Sequence, residues 1–194
     1  MVSVAIQAGG QSERMGRDKA LLAHPQGLTW LEHTLLQLAE LGLPITVLSR
    51  WPNHRRLAQA LALPQLEAIN EPPPWEGPLL ALHRLMKRHT DESLLLIPVD
   101  MPNLHSRALA QLVQAANHDP GAIHLAHDGE RSQPLLGIYP SDAARRQRLA
   151  MAIAAGERGL QRWLAGERCR SVPLEAELIR NVNCVDELQQ LTRP

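Results

Sequence analysis

The sequence predicts an α/β fold, three layers deep (α/β/α), built on a mostly parallel sheet. Two observations carry that prediction: short apolar runs alternate with longer segments of helical period, and one apolar run, Leu94–Val99 (LLLIPV), shows no polar alternation. Parallel neighbours need long right-handed crossovers, which the helical segments supply. A strand covered by helices on both faces reads as a continuous apolar run. A length of 194 residues with 44% apolar content suffices for one core, so a single domain is expected over residues 1–194.

The elements follow in order. Val2 to Gln7 reads as the first strand, and Leu28, Leu31, Leu35 and Leu38 mark one face of the first helix. Ile45 to Ser49 is a second strand, Asn53 to Leu63 a helix, Leu66 to Ile69 a third strand and Pro78 to His89 another helix. After the fourth strand, Leu104, Ala108, Leu109, Leu112, Val113 and Ala116 keep a helical period until His118-Asp119-Pro120-Gly121 stops it. Ala122 to Ala126 and Leu135 to Tyr139 read as strands around a polar turn at His127 to Arg131, and Asp142 to Ala155 as a helix ended by Gly156 and Gly159.

Composition excludes several function classes. Lys+Arg and Asp+Glu both number 20, so no net charge favours a nucleic-acid backbone or an anionic membrane. The opening MVSVAIQAGG reads as a strand rather than a signal peptide, and no window reaches the roughly 18 consecutive apolar residues of a membrane span, so a cytoplasmic protein is expected. Cys169 and Cys184 lack the spacing of a redox pair or a thiolate cage. His124, His127 and Asp128 lack the further ligands a zinc site needs, and no nucleophile elbow surrounds Ser12.

In parallel sheets ligands bind beyond the carboxyl ends of the strands, which directs attention to the loops after the first and fourth. The first is AGGQSERMGRDKAL, Ala8 to Leu21. Gly9, Gly10 and Gly16 let main-chain N–H groups approach phosphate oxygens, while Arg14 and Lys19 add cationic donors. The second is PVDMPNL, Pro98 to Leu104, where Asp100 stands just past the fourth strand. Such a carboxylate suits Mg²⁺ shared with a nucleotide, or it caps a helix starting near Asn103. EGPLLAL, Glu76 to Leu82, contains Gly77 and Pro78, an ordinary helix start.

The AGG and RMGxDKxL strings of the first loop resemble the signature of nucleotidyltransferases, and are most similar to the molybdenum-cofactor guanylyltransferases. The resemblance extends to Asp100, to the Gly77 turn, to HDGER (His127–Arg131), to AGER (Ala155–Arg158) and to RNVNCVDEL (Arg180–Leu188). It implies a Rossmann-like nucleotidyltransferase fold and transfer of GMP from GTP to molybdopterin with release of pyrophosphate. Lys19, Asp100 and Arg14 are then catalytic, and Gln7, Ala8, Gly9, Gly10, Gly16, Lys19, Asn70, Gly77 and Asp100 bind the nucleotide. Asp100 holds Mg²⁺, and Asn181 with Asn183 binds the acceptor.

On the same resemblance, the nucleotide-binding half runs over about residues 1–104 and the acceptor half over about 105–194. Asn70 replaces the family aspartate, a departure bearing on guanine preference. The implied partners are GTP, molybdopterin and downstream cofactor-insertion proteins or molybdoenzymes, with neither nucleic acid nor membrane. Two alternatives stand beside this reading. One is the same chemistry with CTP or on a sugar phosphate; the other is a nucleotide- or cofactor-binding protein without catalysis.

Overall fold

A computed structural model describes residues 2–7 and 18–182. Its strands are β1 (Val2–Gln7), β2 (Ile45–Ser49), β3 (Leu66–Asn70), β4 (Ser93–Pro98), β5 (Ile123–His127), β6 (Ser132–Pro140) and β7 (Cys169–Pro173). Among the described residues they form one seven-stranded sheet of order β3-β2-β1-β4-β6-β5-β7. Neighbours pair in parallel except β6, which runs antiparallel to both β4 and β5. The expected three-layer, mostly parallel architecture is what the chain adopts.

The helices are α1 (Trp30–Ala39), α2 (Pro52–Ala60), α3 (Pro78–Arg88), α4 (Ser106–His118), α5 (Ala143–Ala154) and α6 (Leu160–Leu164). Two apolar clusters show how they divide between the faces of the sheet. Leu31, Leu35 and Leu38 of α1, Ala58 of α2 and Leu109 and Leu112 of α4 pack with Val4, Ile6, Val47, Leu95 and Ile97. Leu79, Leu82 and Leu85 of α3, Leu149 of α5 and Trp163 of α6 pack with the opposite-facing Ala5, Leu48, Leu94 and Leu96. Residues 94–97 are thus fully buried by helices on both sides, the physical origin of the unbroken apolar run.

Two boundaries shift from the expected ones, each through capping. Leu28 precedes the first helix, because Thr29 caps it and closes a capping box with Glu32. Leu104 precedes α4, which His105 caps by accepting from the Ala108 amide. Asp100 is therefore not the cap of that helix. Within the β5–β6 pair, the register shifts between Leu125 and Ala126, and a Cβ at Gly137 would collide with the His124 carbonyl. Only glycine permits that close approach.

Candidate active site

The β1–β4 pairing sets Gln7 beside Pro98, so the segments following both strands leave from one edge of the sheet. The first returns as a single 3-10 turn, Lys19–Leu21, capped by Asp18, whose Oδ1 accepts from the Ala20 amide. The second turns through Asp100. Lys19 Nζ and Asp100 Oδ2 meet at 3.2 Å, with side chains 17% and 28% exposed. A cation and a carboxylate that are 81 residues apart thereby share one partly exposed spot.

The C-terminal part of the described chain is strapped to the same place. The Val182 amide donates to the Asp100 carbonyl at 2.9 Å, and Asn103 Nδ2 donates to the Glu177 carbonyl at 3.1 Å. Asn181, next to Val182, donates through Nδ2 to Gln133 Oε1 at 3.3 Å. Buried Gln133 in turn donates to Asp128 Oδ2 at 2.8 Å. Amides of Arg131 and Glu130, and then Gln133, stabilise the Asp128 carboxylate and push its pKa down to about 2. HDGER is therefore a hairpin turn that holds Asn181 through Gln133.

Two other expected site segments also meet. Gly77 caps α3 with a φ of 95°, a conformation that L side chains rarely adopt, and Glu76 before it pairs with Arg158 at 2.6 Å. Asn70 ends β3 on the same edge of the sheet, exposed, and accepts from Arg55 at 2.9 Å. Gln7 buries its Oε1 without a hydrogen-bond partner among the described residues, an orphaned acceptor beside the first loop. Ala8, Gly9, Gly10, Arg14, Gly16 and Asn183 lie outside the described residues.

The same edge carries groups that sequence reasoning passed over. Glu71, beside Asn70, is buried and paired with Arg84 at 3.0 Å; burial raises its pKa against the pull of Arg84 and Arg50. Arg50 lies over the rings of Trp51 and Trp75, at 4.6 and 5.0 Å. His24 stacks on His33 at 3.8 Å and bonds the Pro102 carbonyl. None of these forms a motif with fixed spacing, so no signal in the sequence could have assembled them.

Among the described residues no group of three or more His, Cys, Asp or Glu side chains converges into a cage for a metal ion. Mg²⁺ commonly binds through one or two carboxylates together with substrate phosphates and water. Asp100 as a single carboxylate at the rim fits that pattern. Among the described residues, no helix is long and apolar enough to cross a membrane.

A family model described as a MobA-like NTP transferase domain matches residues 4–172. A protein from Rhodopirellula baltica named "probable molybdenum cofactor guanylyltransferase" is 34% identical over 188 residues, covering 94% of this chain and 88% of the relative. One of the same name from Mycobacterium avium is 30% identical over 195 residues, covering 97% and 93%. In structure the chain is similar to molybdopterin-guanine dinucleotide biosynthesis protein A of Archaeoglobus fulgidus, with a TM-score of 0.77 over 99% of this chain and 97% of that one. At 18% identity that likeness bears on the fold alone.

Proposed function

The chain belongs to the MobA-like NTP transferase family, and from that membership we propose that it transfers GMP from GTP to molybdopterin. The products are the guanine dinucleotide form of the cofactor and pyrophosphate. The single observation that carries the reading is the Lys19–Asp100 contact at the carboxyl edge of β1 and β4, where ligands of such sheets bind.

The terminal phosphate of the acceptor attacks the α-phosphorus of GTP in line. A new P–O bond forms as the bond to the β-phosphate oxygen breaks, and pyrophosphate leaves. The nucleophile is already ionised, so the protein positions groups and neutralises charge rather than taking a proton. Lys19 and Arg14, with the amides of Ala8, Gly9, Gly10 and Gly16, hold the triphosphate. Gln7, Asn70 and Gly77 border the nucleoside. Asp100 would hold Mg²⁺, which when bound supplies positive charge next to the reacting phosphates.

Asn181 and Asn183 bind the pterin, whose amide and amino edges suit asparagine side chains. The division of labour follows the chain, with the nucleotide on about residues 1–104 and the acceptor on about 105–194. The Val182–Asp100 hydrogen bond, which ties one half to the other, supports that arrangement. On this reading the protein works in the cytoplasm and would pass its product to cofactor-insertion proteins or molybdoenzymes.

The test offers the purified chain GTP, CTP, ATP and UTP in turn with molybdopterin and Mg²⁺, and measures pyrophosphate. GTP is expected to support release at least about tenfold better than CTP, the range that a few site hydrogen bonds provide. A preference for CTP overturns the guanylyl assignment. No release with any of the four, from a protein that binds both GTP and the pterin, would leave a non-catalytic binding protein as the better reading.

A further inference from the structure

The Asp18 carboxylate has a second contact that helix capping does not require. While Oδ1 caps the Lys19–Leu21 turn, Oδ2 lies 2.6 Å from Nε2 of His54, a residue of α2 that is only 1% exposed. The carboxylate can only accept here, so Nε2 carries the hydrogen and the bond is short and charge-assisted. On its other side His54 Nδ1 meets Ser49 Oγ at 2.9 Å, at the carboxyl end of β2. Ser49 Oγ in turn accepts from the Trp51 amide at 3.1 Å, at the entry to α2. The imidazole thus bridges the phosphate-side turn to the last residue of β2 and the first turn of α2.

A buried imidazole costs free energy unless its nitrogens are bonded, and an apolar side chain at position 54 would pack against the sheet without that cost. What the histidine adds is a fixed orientation for the Asp18 carboxylate, and through the adjoining peptide for Lys19. Lysine has a flexible stem with large rotamer entropy, so a rigid base narrows the positions open to its ammonium, which lies 3.2 Å from Asp100. We propose that His54 is a positioning residue for polyphosphate binding, acting through Asp18 to hold the Lys19 turn against the Asp100 rim. The inference rests on the reading of Lys19 as a phosphate ligand, and is independent of which base or acceptor is used.

The test is a double-mutant cycle read on inorganic tripolyphosphate with Mg²⁺, a probe that needs neither guanine nor pterin. Affinity is measured by titration calorimetry for the wild type, His54→Ala, Asp18→Ala, the double variant and His54→Gln, with the melting temperature of each. His54→Ala is expected to weaken binding about tenfold, since small misplacements of a binding group carry effects of that size. The double variant should be no weaker than Asp18→Ala alone, because groups acting in one chain are not additive. His54→Gln, whose amide N–H reaches towards Asp18, should recover most of the loss.

Affinity within twofold of wild type in His54→Ala overturns the proposal. So do losses that multiply in the double variant, a glutamine variant as weak as the alanine one, or a wild type that does not bind the probe. A wild type that binds tripolyphosphate but releases no pyrophosphate from GTP and pterin refutes the functional reading instead, and the cycle still decides the role of His54.

Discussion

At the amino edge of the sheet, Ser3, Thr46, Glu67, Arg88, His89 and Glu92 join β1, β2, β3 and the end of α3 in a polar network. Ser3 Oγ donates to Glu92 at 2.5 Å, His89 bridges Glu92 and Thr46, and Arg88 holds Glu67 through two bonds at 2.7 and 2.5 Å. At the carboxyl edge, Lys19 meets Asp100 and the chain leaves Gln7 Oε1 buried without a described partner. The connections differ in the same sense. Residues 40–44, 61–65 and 89–92 make tight returns at the amino edge, whereas 71–77 and 99–105 are longer connections at the carboxyl edge. Short returns and a polar network hold the amino edge, while longer connections bring Lys19 to Asp100 at the other, so on the proposed reading stability and chemistry are carried at opposite ends of the same strands.

The largest test of that contrast removes the carboxyl-edge pair. Lys19→Ala and Asp100→Ala should each lower kcat/KM for GTP roughly a hundredfold, the effect of about 3 kcal/mol of lost charge stabilisation in the transition state. The melting temperature should barely move, since a partly exposed ion pair contributes under about 1 kcal/mol to folding. Pyrophosphate release and thermal denaturation measured on the same samples check both statements. Near-normal turnover in either variant removes these residues from the chemistry.

The amino edge should behave in reverse. Glu92→Ala deprives Ser3, 2% exposed, of its acceptor and removes the carboxylate facing His89. Leaving a buried hydroxyl unsatisfied costs about 2 kcal/mol, visible as a lower midpoint in urea with an unchanged slope. The kcat/KM should stay within about twofold, because polar groups across the sheet touch no substrate. A drop in activity without a drop in stability would show that the two ends are coupled.

The legibility of the molecule in its sequence follows the same division. The strands up to β4 and the helices between them were readable because burial on one or both sides writes apolar periods into the chain, as at Leu94–Ile97 and at Leu31, Leu35 and Leu38. The β7 strand was not, since CRSVP buries only Val172 at the sheet margin and shows no period. The five-residue α6 was equally silent. The place of β6 between β4 and β5 could not be read from local pattern, since it depends on a pairing across the fold.

In the site, the carboxyl-edge rule pointed to two loops and the family resemblance singled out Lys19 and Asp100 in them, which the structure sets 3.2 Å apart. His54 and Gln133 escaped because each acts through another side chain. A lone histidine on α2 or a glutamine in a strand carries no spacing that marks a partner 36 or 48 residues away.

Gln133 offers the finest probe of the contrast, because it lies at the carboxyl edge but on the acceptor side. Its Oε1 takes the Asn181 amide and its Nε2 is anchored on Asp128, whose carboxylate two backbone amides hold in place. Gln133→Leu keeps much of the volume and removes both bonds. Asn181 then loses one neutral hydrogen bond, about 1 kcal/mol or roughly fivefold, from its orientation. The KM for the pterin should rise by that factor while the KM for GTP stays constant, because the Gln133 bonds run to Asn181 and Asp128. Equal rises in both would mean that the two substrates share one binding surface, and the division of the chain into nucleotide and acceptor halves would fail.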